Sequence, residues 1–111
     1  MPVKNELEPF TRISVDEAKE MIDSGDVQVV DTREPYEHAE GHVPGSLNIP
    51  HMATLPRGGE LARDKPILFI CKSGQRSAVA AEFAATLGLS NLYNVEGGHD
   101  EWAKAGYPME Q

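Results

Sequence analysis

Residues 67–88, ILFICKSGQRSAVAAEFAATLG, hold the only cysteine of the chain at the junction of two unlike patterns. Upstream, PILFI (66–70) is apolar at every position and β-prone, so both of its faces call for burial. With helical patterns on either side, such a run predicts a central strand of a parallel sheet. Downstream, an alanine-rich stretch puts Val79, Phe83 and Leu87 at i, i+4 and i+8 and closes at Gly88, which predicts a helix with an apolar stripe through those three. Cys71 therefore stands at the carboxyl end of a buried strand, just ahead of a helix.

Working outward, strands and helices alternate. TRIS (11–14) reads as a short first strand. Ser14 with Glu17 forms a capping-box pattern for a helix over VDEAKEMIDSG, with Val15, Ala18 and Ile22 on one face and Gly25 at its stop. VQVVDTR (27–33) is a buried strand ending at Asp31, and EPYEHAEG a short helical turn with Pro35 near its start. A brief strand follows around 46–49, residues 52–65 are irregular, LYNV is another strand, and GGHDEWAKAGYP opens on glycines into a helix carrying Trp102. The class is α/β with a covered, mostly parallel sheet. The expected organisation is one domain over residues 11–111, preceded by an extension over 1–10, without internal repeats.

Charge narrows the partners. Of 111 residues, 18 are acidic and 10 basic, a formal net charge of −8. Nucleic acid and anionic membrane surfaces need clustered Lys and Arg, so neither is expected as a partner. A small anion remains compatible if a local pocket reverses the field. A single cysteine forms no internal disulfide, MPVKNELEPF holds no apolar core behind a basic flank, and no run nears the ~20 apolar residues that span a bilayer. A cytoplasmic protein is expected.

In open parallel sheets ligands bind beyond the carboxyl ends of the strands, and Cys71 lies at such an end. The loop from Lys72 to Arg76 can turn backbone N–H groups inward, next to the positive end of a helix dipole. Gly74 permits a positive φ or a close backbone approach. Lys72 and Arg76 add positive charge, Ser73 and Ser77 add hydroxyl donors, and Gln75 completes the loop. Each of these favours thiolate over thiol. A lone intracellular cysteine is by default a small buried hydrophobe. This strand–Cys–Gly loop–Arg–helix context points instead to a thiol nucleophile acting on an anionic substrate.

Other candidates carry less. His38 and His42 are four apart, a spacing that could present zinc ligands from one helix face. Gly41 inside the pair and Pro44 just after it oppose a continuous helix, and neither His51 nor His99 adds a neighbouring third ligand, so no metal is expected. Trp102 and Tyr36 read as packing residues, and the acidic clusters NELE and EPYEHAE as solvated faces.

CKSGQRS on its strand–loop–helix resembles the active-site loop of the rhodanese family; VVDTREPYEHAEGHVPGSLNIP resembles that family's N-terminal signature and NVEGGHDEWAKAGYP its C-terminal one. The three motifs occur in the expected order from about Ile13 to Pro108. The resemblance implies a five-stranded, mostly parallel sheet with helices on both faces, and sulfurtransferase chemistry without a cofactor. Cys71 would take the outer sulfur of thiosulfate or a similar donor as a persulfide. It would then pass that sulfur to cyanide, a thiol or a partner protein, a two-step covalent scheme. Lys72, Ser73, Gly74, Gln75, Arg76 and Ser77 would hold the donor. Asp31 and Arg33 match the family's Asp-x-Arg in a supporting role, with Arg33 anchoring a neighbouring loop through an ion pair. Two alternatives stand beside this reading. One is a persulfide carrier or interaction module serving a partner protein. The other is a Cys-based phosphatase or arsenate reductase, which the four-residue spacing from Cys71 to Arg76 and the presence of Ile70 instead of His disfavour.

Overall fold

The computed structural model describes residues 2–111. Strand β1 (Val3–Lys4) is followed by β2 (Thr11–Ile13), helix α1 (Val15–Ser24) and β3 (Gln28–Asp31). Helix α2 (Pro35–Glu40), β4 (Leu47–Asn48) and two short 3-10 turns lead to β5 (Ile67–Ile70). Helix α3 (Gln75–Thr86), β6 (Leu92–Val95) and α4 (Gly98–Lys104) complete the chain. Local rules account for the boundaries. Ser14 caps α1 by accepting from Glu17 N–H at 3.1 Å while Glu17 returns a carboxylate to Ser14 N–H at 2.8 Å. Gly25 ends the helix in the left-handed region at φ +88°.

The sheet runs β1-β2-β6-β5-β3-β4 and is parallel throughout except for the β1–β2 pair. Among the described residues six strands are found where five were expected. The additional one is the antiparallel edge pair Val3–Arg12 and Lys4–Thr11, made by the segment read as an extension. Both residues of β1 are exposed, so it carries no apolar alternation by which a sequence could announce it.

Strand β5 is central, as its composition demands: all four residues are buried, and β3 and β6 flank it. Alternation splits it between two cores. Ile67 and Phe69 pack with Ala80, Ala81 and Ala84 of α3, whereas Leu68 and Ile70 pack with Ala18 of α1 and Trp102 of α4. Helices therefore cover both faces.

The stripe expected on α3 is displaced. Its sheet-facing residues are Ser77, Ala80, Ala81 and Ala84, while Val79 is exposed. Small side chains let the helix lie close against β5 and β6, and that close approach overrides the preference for burying the larger Val79.

Connections from β3 run outward to β4 and those from β5 outward to β6, so the order reverses between β3 and β5. Asp31 pairs in register with Ile70. The last residue of β3 and Cys71 thus meet at the carboxyl edge of this switch point, where open α/β sheets form their crevice.

Candidate active site

Cys71 leaves β5 with its side chain buried. Its Sγ accepts a hydrogen bond from Gly74 N–H at 3.0 Å, because Gly74 at φ +113° turns that amide back toward the sulfur as the N-cap of α3. Ser77 Oγ, in the first turn of α3, lies 3.3 Å from the same sulfur. That hydroxyl has a single proton and also faces Asn94 Oδ1. The orientation of Asn94 is set by its amide, which donates to Gly74 O at 3.1 Å and to Glu96. Ser77 can therefore accept from a thiol while donating to Asn94, or turn its proton onto a thiolate.

The backbone of Cys71 is clamped by α4. Cys71 O accepts from His99 N–H at 2.8 Å and from His99 Nδ1–H at 3.0 Å, and Lys72 O accepts from Asp100 N–H at 3.0 Å. Only glycine allows this contact: a Cβ on Gly98, at φ +55°, would lie 2.4 Å from Cys71 O and 2.6 Å from Lys72 O. His99 Nε2 accepts from Val43 N–H at 3.3 Å, so both ring nitrogens are used in the neutral state. Burial pushes this imidazole below its ordinary pKa, in keeping with those partners.

Asp31 and Arg33 form a buried ion pair at the end of β3. Arg33 Nε lies 3.0 Å from Asp31 Oδ1 and Nη2 lies 2.8 Å from Oδ2. Nη2 also donates to Gly41 O at 2.7 Å, which ties α2's exit to the sheet edge. His38 Nδ1 reaches Asp31 Oδ2 at 2.8 Å, and the His38 and His42 rings stack at 3.6 Å. Burial alone would raise the Asp31 carboxyl; hydrogen bonds from Arg33 and His38 outweigh it and hold the group below its usual range.

The two loop cations are already paired. Arg76 Nη1 and Nη2 grip Glu37 Oε1 and Oε2 at 2.7 and 3.1 Å, and Lys72 Nζ sits 3.0 and 3.2 Å from the Asp100 carboxylate. The Arg76 guanidinium beside Glu37 draws that carboxyl down to about 2, and Glu37 in turn raises Arg76. Glu37 is thus a half-buried ion-pair partner, not part of the solvated face expected of EPYEHAE. A cleft of about 270 Å³ opens beside the loop, lined in part by Arg33, Glu37, Lys72, His99, Asp100 and Met109.

Of the residues singled out from the sequence, Cys71, Gly74 and Ser77 converge on the sulfur, whereas the Asp31 and Arg33 side chains pair with each other and hold Gly41 O and His38. Ser73 and Gln75 are exposed and hydrogen-bond to each other. Lys72 and Arg76 flank the site with their charges engaged. Tyr36 is exposed and Trp102 is core. Sequence reasoning missed Glu37, Asn94, His99 and Asp100, whose roles arise from pairings distant in the chain, 39 residues for Glu37 with Arg76 and 56 for His99 with Val43. The only available signal was GG before HDEW, which marks a close backbone approach ahead of His99 and Asp100.

A buried thiol at the switch point of a parallel sheet, facing a backbone amide and a helix-borne hydroxyl, defines a cysteine-centred α/β domain. The chain belongs to the rhodanese-like family: the rhodanese-like domain model matches residues 14–105. It is 33% identical over 101 residues to the thiosulfate sulfurtransferase GlpE of Pseudoalteromonas translucida (strain TAC 125), covering 86% of this chain and 91% of that protein. The crystal structure of a rhodanese-related protein from Thermoplasma volcanium superposes with a TM-score of 0.81 at 39% identity, covering 89% of this chain and 96% of that one. The human single-domain sulfurtransferase TSTD1 gives a TM-score of 0.74 at 27% identity, covering 86% and 96%.

Proposed function

We propose that the protein is a sulfurtransferase in which Cys71 carries the transferred sulfur. The Cys71 thiolate attacks the outer sulfur of thiosulfate, the donor S–S bond breaks, and its electron pair leaves with sulfite. The resulting Cys71 persulfide is then attacked at its terminal sulfur by cyanide or a thiol, and Cys71 departs as thiolate. No cofactor enters and no net oxidation occurs. Gly74 N–H and Ser77 Oγ–H are the groups that stabilise negative charge on the sulfur as it forms and is released.

The observation that carries this reading is the position of Cys71 Sγ, 3.0 Å from Gly74 N–H at the carboxyl end of β5. Similarity to a thiosulfate sulfurtransferase supports the donor class. The phosphatase alternative is disfavoured further by Arg76: its guanidinium is committed to Glu37 and is not free to cradle a phosphoryl group. A carrier role shares the first half-reaction and differs in the second. With one cysteine in the chain, the persulfide is discharged by an external acceptor in either case.

Thiocyanate production from thiosulfate and cyanide tests the enzyme reading. Parallel double-reciprocal lines for wild type and no product from Cys71→Ser are expected. Turnover retained by Cys71→Ser overturns the assignment. A single discharge per chain without turnover favours the carrier.

A further inference from the structure

Cys71 Sγ has two donors within reach, Gly74 N–H and Ser77 Oγ–H, and one side chain of the neighbouring strand touches both residues. Asn94 of β6 is fully buried, as is Ser77. The Asn94 amide nitrogen uses both of its protons, one on Gly74 O at 3.1 Å and one on the Glu96 carboxylate. Glu96 is itself held by Arg12 Nη1 at 2.8 Å, and Arg12 Nε donates to Glu8 at 2.8 Å. A flipped amide would set Oδ1 against a carbonyl and a carboxylate, both acceptors, so the hydrogen-bond network fixes its orientation. Oδ1 then faces Ser77 Oγ, and two oxygens in that contact need the serine proton between them. The hydroxyl has one proton and two acceptors competing for it, Asn94 Oδ1 and the sulfur.

Resting on the sulfurtransferase reading, we propose that Asn94 is a positioning residue for sulfur transfer, acting through the direction of the Ser77 proton. With Cys71 as thiol, Ser77 donates to Asn94 and accepts from S–H. When the thiol proton leaves to solvent, the hydroxyl rotates its own proton onto the thiolate, and the buried Asn94 Oδ1 loses its donor. Ser77 keeps its proton throughout; only the acceptor changes. The lost bond is an added cost of forming the thiolate. Asn94 thus leaves the sulfur less stabilised, and more nucleophilic, than Gly74 and Ser77 alone would leave it. In the persulfide the negative charge sits on the terminal sulfur, one S–S bond beyond Sγ, and the Ser77 proton returns to Asn94. The free thiolate bears the cost and the persulfide does not, so Asn94 favours loading of Cys71 with sulfur.

The test is the pH at which the Cys71 thiolate forms, followed by its ultraviolet absorbance in wild type, Asn94→Ala, Ser77→Ala and the double variant. Cys71 is the only cysteine, and Cys71→Ser supplies the blank. The charged groups around the sulfur are the same in all four proteins: the Arg76–Glu37, Lys72–Asp100 and Arg33–Asp31 pairs, with His99 and Glu96. Asn94→Ala is expected to lower the midpoint by about half to one pH unit, the equivalent of one hydrogen bond. The acid limb of kcat/KM for thiosulfate should follow it. In the Ser77→Ala background the same substitution should move the midpoint by less than about 0.2 unit, because the contested proton is gone. A merely structural role would give equal shifts in both backgrounds. Asn94→Leu keeps the branched shape and repeats the test without the cavity that alanine leaves. A midpoint that stays or rises when Asn94 is replaced, or that shifts equally with and without Ser77, overturns the inference. Absence of sulfur transfer by wild type would overturn the sulfurtransferase reading, whereas the titration requires no donor and still decides the hold of Asn94 on Ser77.

Discussion

Replacing Gly98 by alanine should disable the site from behind the sulfur. The new Cβ would stand 2.4 Å from Cys71 O and 2.6 Å from Lys72 O, both backbone atoms that no rotamer change can move. Carbon and carbonyl oxygen tolerate about 3.3 Å, so the loop and α4 must separate by roughly 0.9 Å. That separation carries the hydrogen bonds from His99 N–H (2.8 Å) and Asp100 N–H (3.0 Å) beyond useful length. Two such bonds are worth about 1–3 kcal/mol together, and an alanine held at φ +55° adds about 1 kcal/mol. The expected destabilisation is therefore about 2–4 kcal/mol. In urea, with a slope of roughly 1.5 kcal/mol/M, the midpoint falls by about 1.3–2.7 M at unchanged slope. Sulfur transfer should fall as well, because displacing the Cys71 carbonyl moves its Sγ off Gly74 N–H. A midpoint within about 0.3 M of wild type, with unaltered kinetics, would refute the claim that this close approach positions the nucleophile.

Further outcomes follow from the same geometry. Phe69→Ala, at the centre of β5, should cost about 3–5 kcal/mol in urea denaturation, and a loss below about 1 kcal/mol would remove Phe69 from the core. Glu37 has its carboxyl drawn from 4.5 to about 2 by Arg76, so its contribution to stability is complete above about pH 4.5 and is lost as pH falls toward 2. Glu37→Gln should flatten that part of the acid limb in a pH series of urea midpoints; an identical limb would show that the pair is not formed in solution. Ser77→Ala should lower kcat at least about tenfold, since it removes one of the two donors facing the sulfur. A kcat within about twofold of wild type would assign Ser77 to Asn94 alone.

Much of the fold was legible because it depends on local pattern. A run apolar at every position, PILFI, between helical patterns pointed to a strand buried on both faces, and Ser14 with Glu17 could close a capping box without help from the rest of the chain. The grouping around the sulfur was legible for a similar reason: Cys71, Gly74 and Ser77 lie within one loop and the first turn after it. Features decided by packing between distant segments were hidden. The buried face of α3 is chosen by how near the helix lies to the sheet, so Ala80, Ala81 and Ala84 displace Val79 from the core. Strand β1 is two exposed residues paired with the backbone of Arg12 and Thr11. The charge state of the site was the largest omission. Lys72 and Arg76 look like free cations until their partners arrive from 28 and 39 residues away.

The central claim is that Cys71 itself accepts the transferred sulfur. Intact mass of the reduced protein after incubation with a sulfane donor, thiosulfate or methanethiosulfonate, tests it most directly. The account predicts a gain of one sulfur atom on wild type, removed by cyanide, and no gain on Cys71→Ser. A wild type that gains nothing from either donor, or a Cys71→Ser protein that gains the same atom, would contradict it.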